Sequence, residues 1–205
     1  MDMIASIKKE RGLFRLTLDN GQVIYVTAEL FRERPFAEGD PIDPEEYDAW
    51  LLPRQYRAAL DRAVAALAAR AHSRGEIEQK LIRARYRPAT VEMVLYKLER
   101  ERLLDDADFA RQWTAARTGR KLGLNRIAQE LRHKGVCADH IEEALASVDE
   151  EEQLASAAAL AEKALLRAKP GEDPRKTDQR VMGMLLRRGF SWDTAREALE
   201  QAKNA

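Results

Sequence analysis

Apolar and polar residues follow two different rhythms along the chain. Up to about residue 27 they alternate: Leu13, Arg15 and Thr17 against Phe14, Leu16 and Leu18, then the Val-, Ile- and Tyr-rich stretch Gln22 to Thr27. Period-two alternation predicts half-buried strands. Ile4-Ala5-Ser6-Ile7 predicts an earlier strand ending at the charged run Lys8 to Arg11, and Asp19-Asn20-Gly21 supplies a hairpin turn. Ala28 to Phe31 reads as a helical turn and Gly39-Asp40-Pro41 as a loop. Asp43-Pro44-Glu45-Glu46 is a helix start, with Asp as N-cap and Pro in the first turn.

From about residue 53 the rhythm becomes helical, and it repeats. Ile77, Leu81, Tyr86, Val91 and Leu95 recur at one constant offset as Ile127, Leu131, Val136, Ile141 and Leu145. They recur again, with four more residues of period, as Val181, Leu185, Phe190, Ala195 and Leu199. Each set predicts two helices joined by a sharp turn. A further helix precedes each pair, over Tyr56 to Ala71, Asp108 to Arg117 and Gln153 to Ala168. Gly135 and Gly189 stand where a helix C-cap needs positive φ; Arg85 occupies the corresponding place in the first set, where a looser turn is expected. Ser73 with Glu76, Asp139 with Glu142, and Asp193 read as N-caps. Lys169 to Pro174 reads as a flexible insertion that accounts for the longer third period.

The fold class expected is therefore mainly α: three tandem three-helix modules in an elongated, curved body, preceded by a small N-terminal antiparallel β segment. The boundaries expected are 1–55 for the β segment, then 56–104, 105–150 and 151–205 for the modules. Modules of that size bury too little apolar surface to be robust alone and are expected to lean on their neighbours.

Composition supports this: 34% of residues are charged and only 6% aromatic, which suits charged helix faces over aliphatic seams. A single cysteine, Cys137, leaves no disulfide to form and fits a reducing, cytoplasmic setting. The longest apolar run, Ala63 to Ala69, is far too short to span a bilayer, and the N-terminus lacks signal-peptide order.

Chemistry is sparse. No phosphate-binding glycine loop is present, and His72, His133 and His140 lack metal-ligand spacing and are expected to be exposed. Asp105, Asp106 and Asp108 resemble a carboxylate site but immediately precede a helix and read as its caps. Trp113 and Trp192 read as core, and Trp50 as a plug of the sheet onto the first module. No enzyme, cofactor or metal is expected.

Charge placement is more telling, because 35 basic and 35 acidic residues balance overall yet segregate along the chain. Six cations from Arg117 to Lys134 face one acid, Glu130, and the middle helices of the other modules are basic too. Acids gather instead in Glu38 to Asp48 and Asp139 to Glu152. The candidate partner or nucleic-acid contacts are Arg74, Lys80, Arg83, Arg117, Arg120, Lys121, Arg126, Arg132, Lys134, Arg187 and Arg188. The acidic Glu38–Asp48 segment is a candidate intramolecular brake on them.

Several strings resemble the RecX family of recombinase regulators. They are Ser73-Arg74-x2-Ile77-x2-Lys80-Leu81, Leu103-Leu104-Asp105-Asp106-x2-Phe109-Ala110, Arg117 with Gly123-x2-Arg126-Ile127-x2-Glu130-Leu131-x2-Lys134-Gly135-Val136, and Arg187-Arg188-Gly189-Phe190. The resemblance covers about residues 56–200, and the N-terminal β segment is similar to that of longer members. It implies a non-enzymatic regulator of recombination and DNA repair that lodges in the groove of the RecA–single-stranded-DNA filament. Inhibition of strand exchange and ATP hydrolysis would follow, with weak contact to single- or double-stranded DNA. The competing expectation is a DNA-binding protein that uses the basic modules without a recombinase. A monomer is expected in either case.

Overall fold

The structure, a computed structural model, describes residues 1–10, 12–168 and 173–204. Strands β1 (Asp2–Glu10), β2 (Leu13–Leu18), β3 (Val23–Thr27) and β4 (Pro41–Ile42) form one antiparallel sheet in the order β3-β2-β1-β4. β1 runs on through Lys8, Lys9 and Glu10, which pair with Arg15, Phe14 and Leu13. Charged residues do not end a strand whose outer face meets water; Arg11, at the end of that run, lies outside the described residues. In the β2–β3 turn only Gly21 takes positive φ, +86°, and its N–H bonds the Leu18 carbonyl at 3.0 Å. This is a three-residue connection with glycine in the left-handed position.

Register fixes the two faces of the sheet. Ile7, Leu16 and Ile24 lie in one cross-strand row toward the core, and Lys8, Arg15 and Tyr25 in the next row on the other face. Beneath the first face pack Ile4, Leu18, Val26, Leu30 and Ile42, with Leu30 on α1 (Ala28–Glu33).

Helix α2 (Pro44–Ala69) is a single element where the sequence suggested a short helix start and a separate later helix. Asp43 caps it through Glu45 and Glu46 N–H groups, and Pro44 fills the first turn. Its buried positions, Tyr47, Leu51, Gln55, Ala59, Ala63 and Ala66, recur every three or four residues straight past Pro53, which faces solvent. Tyr47 and Leu51 serve the sheet core, while Ala59, Ala63 and Ala66 serve the first helical core. The helix thus belongs to both layers, and Gln55 also covers the β3 edge by donating to the Tyr25 carbonyl at 3.1 Å.

The three-helix modules are α2 with α3 (Arg74–Arg83) and α4 (Pro88–Arg100); α5 (Asp106–Thr118), α6 (Leu124–His133) and α7 (Ala138–Ala146); and α8 (Glu150–Leu165), α9 (Pro174–Arg187) and α10 (Trp192–Asn204). The repeated apolar positions line each core: Ile77, Leu81, Val91 and Leu95; Ile127, Leu131, Val136 and Ile141; Val181, Leu185, Phe190, Ala195 and Leu199. Tyr86 and Leu145 pack at the core margins. Each such aliphatic side chain contributes about 1.5–3 kcal/mol by leaving water.

All three turns share one hydrogen-bond pattern. Tyr86, Val136 and Phe190 N–H groups reach back to Leu81, Leu131 and Leu185, and Arg85, Gly135 and Gly189 to Ile82, Arg132 and Leu186. The first turn is therefore not looser: Arg85 adopts φ +65° where glycines take +79° and +93°. Arg102 and Lys121 do the same at the ends of α4 and α5, where a cation also meets the negative end of the helix dipole.

Two N-caps fall earlier than the sequence suggested. Cys137 begins α7, with Asp139 in its first turn, and Ser191 rather than Asp193 accepts the Thr194 N–H. Ser73 caps α3 through the Glu76 N–H at 3.2 Å. Asp173 caps α9 ahead of Pro174, while Lys169 to Glu172 of the expected insertion lie outside the described residues.

The chain divides into two compact units, one of Met1–His72 with Ile77–Leu104, the other of Ser73–Glu76 with the residues from Asp105 on. Among the described residues no helix is long and apolar enough to cross a membrane.

Candidate partner-binding surface

Trp113 organises the second unit's basic region. It stands on α5 half-buried against the module core, stacked on Phe109 with ring centroids 5.8 Å apart. Its indole N–H donates to Glu130 Oε2 at 3.1 Å, and Arg117 Nε donates to the same oxygen at 2.7 Å. Arg126 pairs with the other Glu130 oxygen at 3.5 Å. Two cations cover the ring: the Arg117 guanidinium 4.1 Å and Lys134 Nζ 4.0 Å from its centroid. Lys134 Nζ also donates to Glu76 at 2.6 Å, and its carbonyl accepts from Ser73 Oγ at 2.5 Å.

These contacts explain why Ser73–Glu76 belong with the second unit. The Arg74 N–H donates to Asp106 Oδ1 at 2.7 Å, and Gly75 lies so close to Gly135 that a Cβ on Gly75 would meet the Lys134 carbonyl oxygen at 2.7 Å. The same joint recurs between α6 and the α9–α10 turn. Gly123 and Asn125 N–H groups donate to the Arg188 and Gly189 carbonyls at 3.0 Å, and the Arg188 guanidinium donates to the Arg120 and Lys121 carbonyls.

The sequence candidates thus divide. Arg117, Lys134 and Arg188 spend their charge on internal contacts. Arg126 is half exposed beside Glu130, and Arg74 is half-buried at the α3 start. Arg120, Lys121, Arg132 and Arg187 are exposed in the second unit, Lys80 and Arg83 in the first; Arg83 donates to Gln79 Oε1. Among the described residues Arg120, Lys121 and Arg132 make no side-chain hydrogen bond or ion pair.

On α6 the outward positions are Asn125, Arg126, Gln129, Arg132 and His133, whereas α7 turns Asp139, Glu142 and Glu143 outward. The module therefore offers a polyanion one helix, not a continuous basic surface. The carboxylate trio is occupied: Asp105 caps α5 at the Asp108 N–H, Asp106 accepts from Arg74, and Asp108 receives Arg111 and Gln112. Glu38 accepts the Ile7 N–H, Asp43 caps α2, Glu46 pairs with Arg34 and Asp48 with Arg87, so the acidic segment spends these carboxylates inside the first unit.

Three side chains differ from expectation. Trp192 is 57% exposed beside Arg196 at the α10 start, because Phe190 and Ala195 already fill that core. His72 is buried, its Nδ1 3.0 Å from the Arg70 carbonyl. Trp113 proved to be a platform for two cations as well as core, a role its apolar helical spacing did not signal. Trp50 does pack on the sheet core, stacked with Tyr47, under Arg54.

Three family models match the chain: the first three-helix domain of RecX over residues 59–98, the second over 105–145 and the third over 150–199. The regulatory protein RecX of Prosthecochloris aestuarii is 39% identical over 146 residues, which is 71% of this chain and 93% of that one. The regulatory protein RecX of Bacillus subtilis is 28% identical over 200 residues, 97% of this chain and 75% of that one. A crystal structure of a regulatory protein RecX superposes with TM-score 0.68 at 25% identity, covering 100% of both chains. That of RecX from Lactobacillus salivarius, at 21% identity, shares the fold over 75% of this chain and 99% of its own, with TM-score 0.69.

Proposed function

The chain belongs to the RecX family, and from that premise we propose that it is a non-enzymatic modulator of the RecA recombinase. It binds the RecA–single-stranded-DNA filament and lowers both ATP hydrolysis and strand exchange. The observation that carries this reading is the match of all three domains, in order, to those of RecX. Exposed Arg120, Lys121, Arg126 and Arg132 form the filament contact of the second module, and several modest contacts on one chain add up through effective concentration.

Charge reversal tests the contact. Arg120→Glu with Arg132→Glu changes exposed side chains that pair with no carboxylate among the described residues, and should leave the melting transition in place while weakening inhibition of RecA. Full inhibition by that folded double variant would remove this patch from the reading. Lys134, the other obvious choice, is unsuitable, because its reversal would set a carboxylate against Glu76.

A further inference from the structure

The row of outward residues across the sheet leads into a hollow that the RecA reading leaves unused. Lys8, Arg15 and Tyr25 share one register line over β1, β2 and β3. At its end the Arg85 guanidinium lies 5.2 Å from the Tyr25 ring centroid. Beyond it opens a hollow of about 720 Å³, lined by Tyr25, Thr27, Glu10 and three arginines, Arg62, Arg83 and Arg85.

None of those three makes an ion pair among the described residues. Arg62 lies beside the Tyr86 hydroxyl, Arg83 donates to the Gln79 amide oxygen, and Arg85 stacks on Tyr25. The one carboxylate of the lining, Glu10, already faces Arg15 at 3.7 Å. Arg15 Nε is buried yet bonds no described residue. Three guanidinium groups lining one hollow with a single carboxylate, itself paired with Arg15, repel one another, and an anion bearing oxygens in several directions relieves that. Two cations on adjoining strands, Lys8 and Arg15, with the three arginines beyond Tyr25, suit an extended chain of such anions better than a single carboxylate. The half-buried aromatic ring under Arg85 adds a stacking surface.

We propose that this face, Lys8–Arg15–Tyr25 with the Arg62, Arg83 and Arg85 hollow, binds the phosphodiester backbone of single-stranded nucleic acid. The site lies wholly in the first unit and does not depend on the recombinase reading.

A labelled oligothymidylate, titrated with the full chain by fluorescence anisotropy over a range of salt and without RecA, tests it. Binding should weaken linearly in log–log form with salt. Arg85→Gly installs the residue the other two turns use, so the variant should melt no lower than the parent while its salt slope flattens by about 0.7. Arg62→Gln, Arg83→Gln and Arg85→Gly together should flatten it by about 2. Unchanged affinity and slope in the triple variant, or no binding by the parent, overturns the proposal. Displacement by polyglutamate of equal charge as efficient as by unlabelled oligonucleotide would overturn it in favour of an acidic protein. Equal displacement by ATP at matched phosphate concentration would overturn it in favour of a free nucleotide.

Discussion

At the scale of single residues, exposure and charge separate structural cations from available ones. Lys134 and Glu76 are each about four-fifths buried and joined at 2.6 Å, with Trp113 beneath the ammonium. Removing one partner of such a pair leaves the other unpaired, so Lys134→Glu should cost about 3 kcal/mol in urea unfolding. Arg132→Glu, on an exposed side chain, should stay within about 0.5 kcal/mol. Tyr47 gives a pH prediction. Burial pushes its hydroxyl up to about 12, against the pull of Arg34 and Arg87, and the oxygen bonds no described residue. A raised folded-state value means that the neutral form stabilises the fold below the ordinary tyrosine value near 10. That contribution is lost as pH rises toward about 12. Tyr47→Phe should therefore flatten the alkaline decline in thermal melts without lowering stability at neutral pH.

At the scale of elements, two glycines with the same backbone sign have different work. Gly21 (φ +86°) sits in a turn where an added Cβ would meet nothing within 4 Å, so Gly21→Ala should cost only the left-handed strain, about 1–2 kcal/mol. Gly135 (φ +79°) would in addition bring its Cβ within 2.9 Å of the Gly75 Cα, and Gly135→Ala should lose measurably more in the same denaturation assay. The turn glycines were legible in the sequence because left-handed φ is a local demand. The approach of Gly75 to Gly135, and of Gly123 to Gly189, was not, because it joins segments far apart in the chain. Helix α2 is a second case. The sequence reading placed a helix start at Asp43 and a separate helix from Tyr56, yet a buried strip from Tyr47 to Ala66 carries one helix past Pro53. The Arg54 guanidinium donates to the Trp50 carbonyl at 3.1 Å, where the proline disturbs the backbone ladder. Pro53→Ala should raise the melting temperature by restoring a backbone bond on an exposed helix face.

At the scale of the whole molecule, the repeat was the strongest message in the sequence, and the three cores use its positions almost one for one. What the repeat could not convey is how much of the basic character is spent internally. Arg117, Lys134 and Arg188 look equivalent to Arg120, Lys121 and Arg132 in the sequence, and only the placement of Glu130, Glu76 and the joint carbonyls tells them apart. Nor did the composition near Arg85 reveal that the sheet aligns Lys8, Arg15 and Tyr25, since register is set by pairing over three strands. The central claim, that this member of the RecX family acts on RecA itself, is tested most directly by RecA's DNA-dependent ATP hydrolysis. The protein is titrated into RecA with single-stranded DNA in excess. A fall in rate at substoichiometric protein is the predicted result; an unchanged rate, or inhibition that vanishes whenever DNA is in excess, would contradict it.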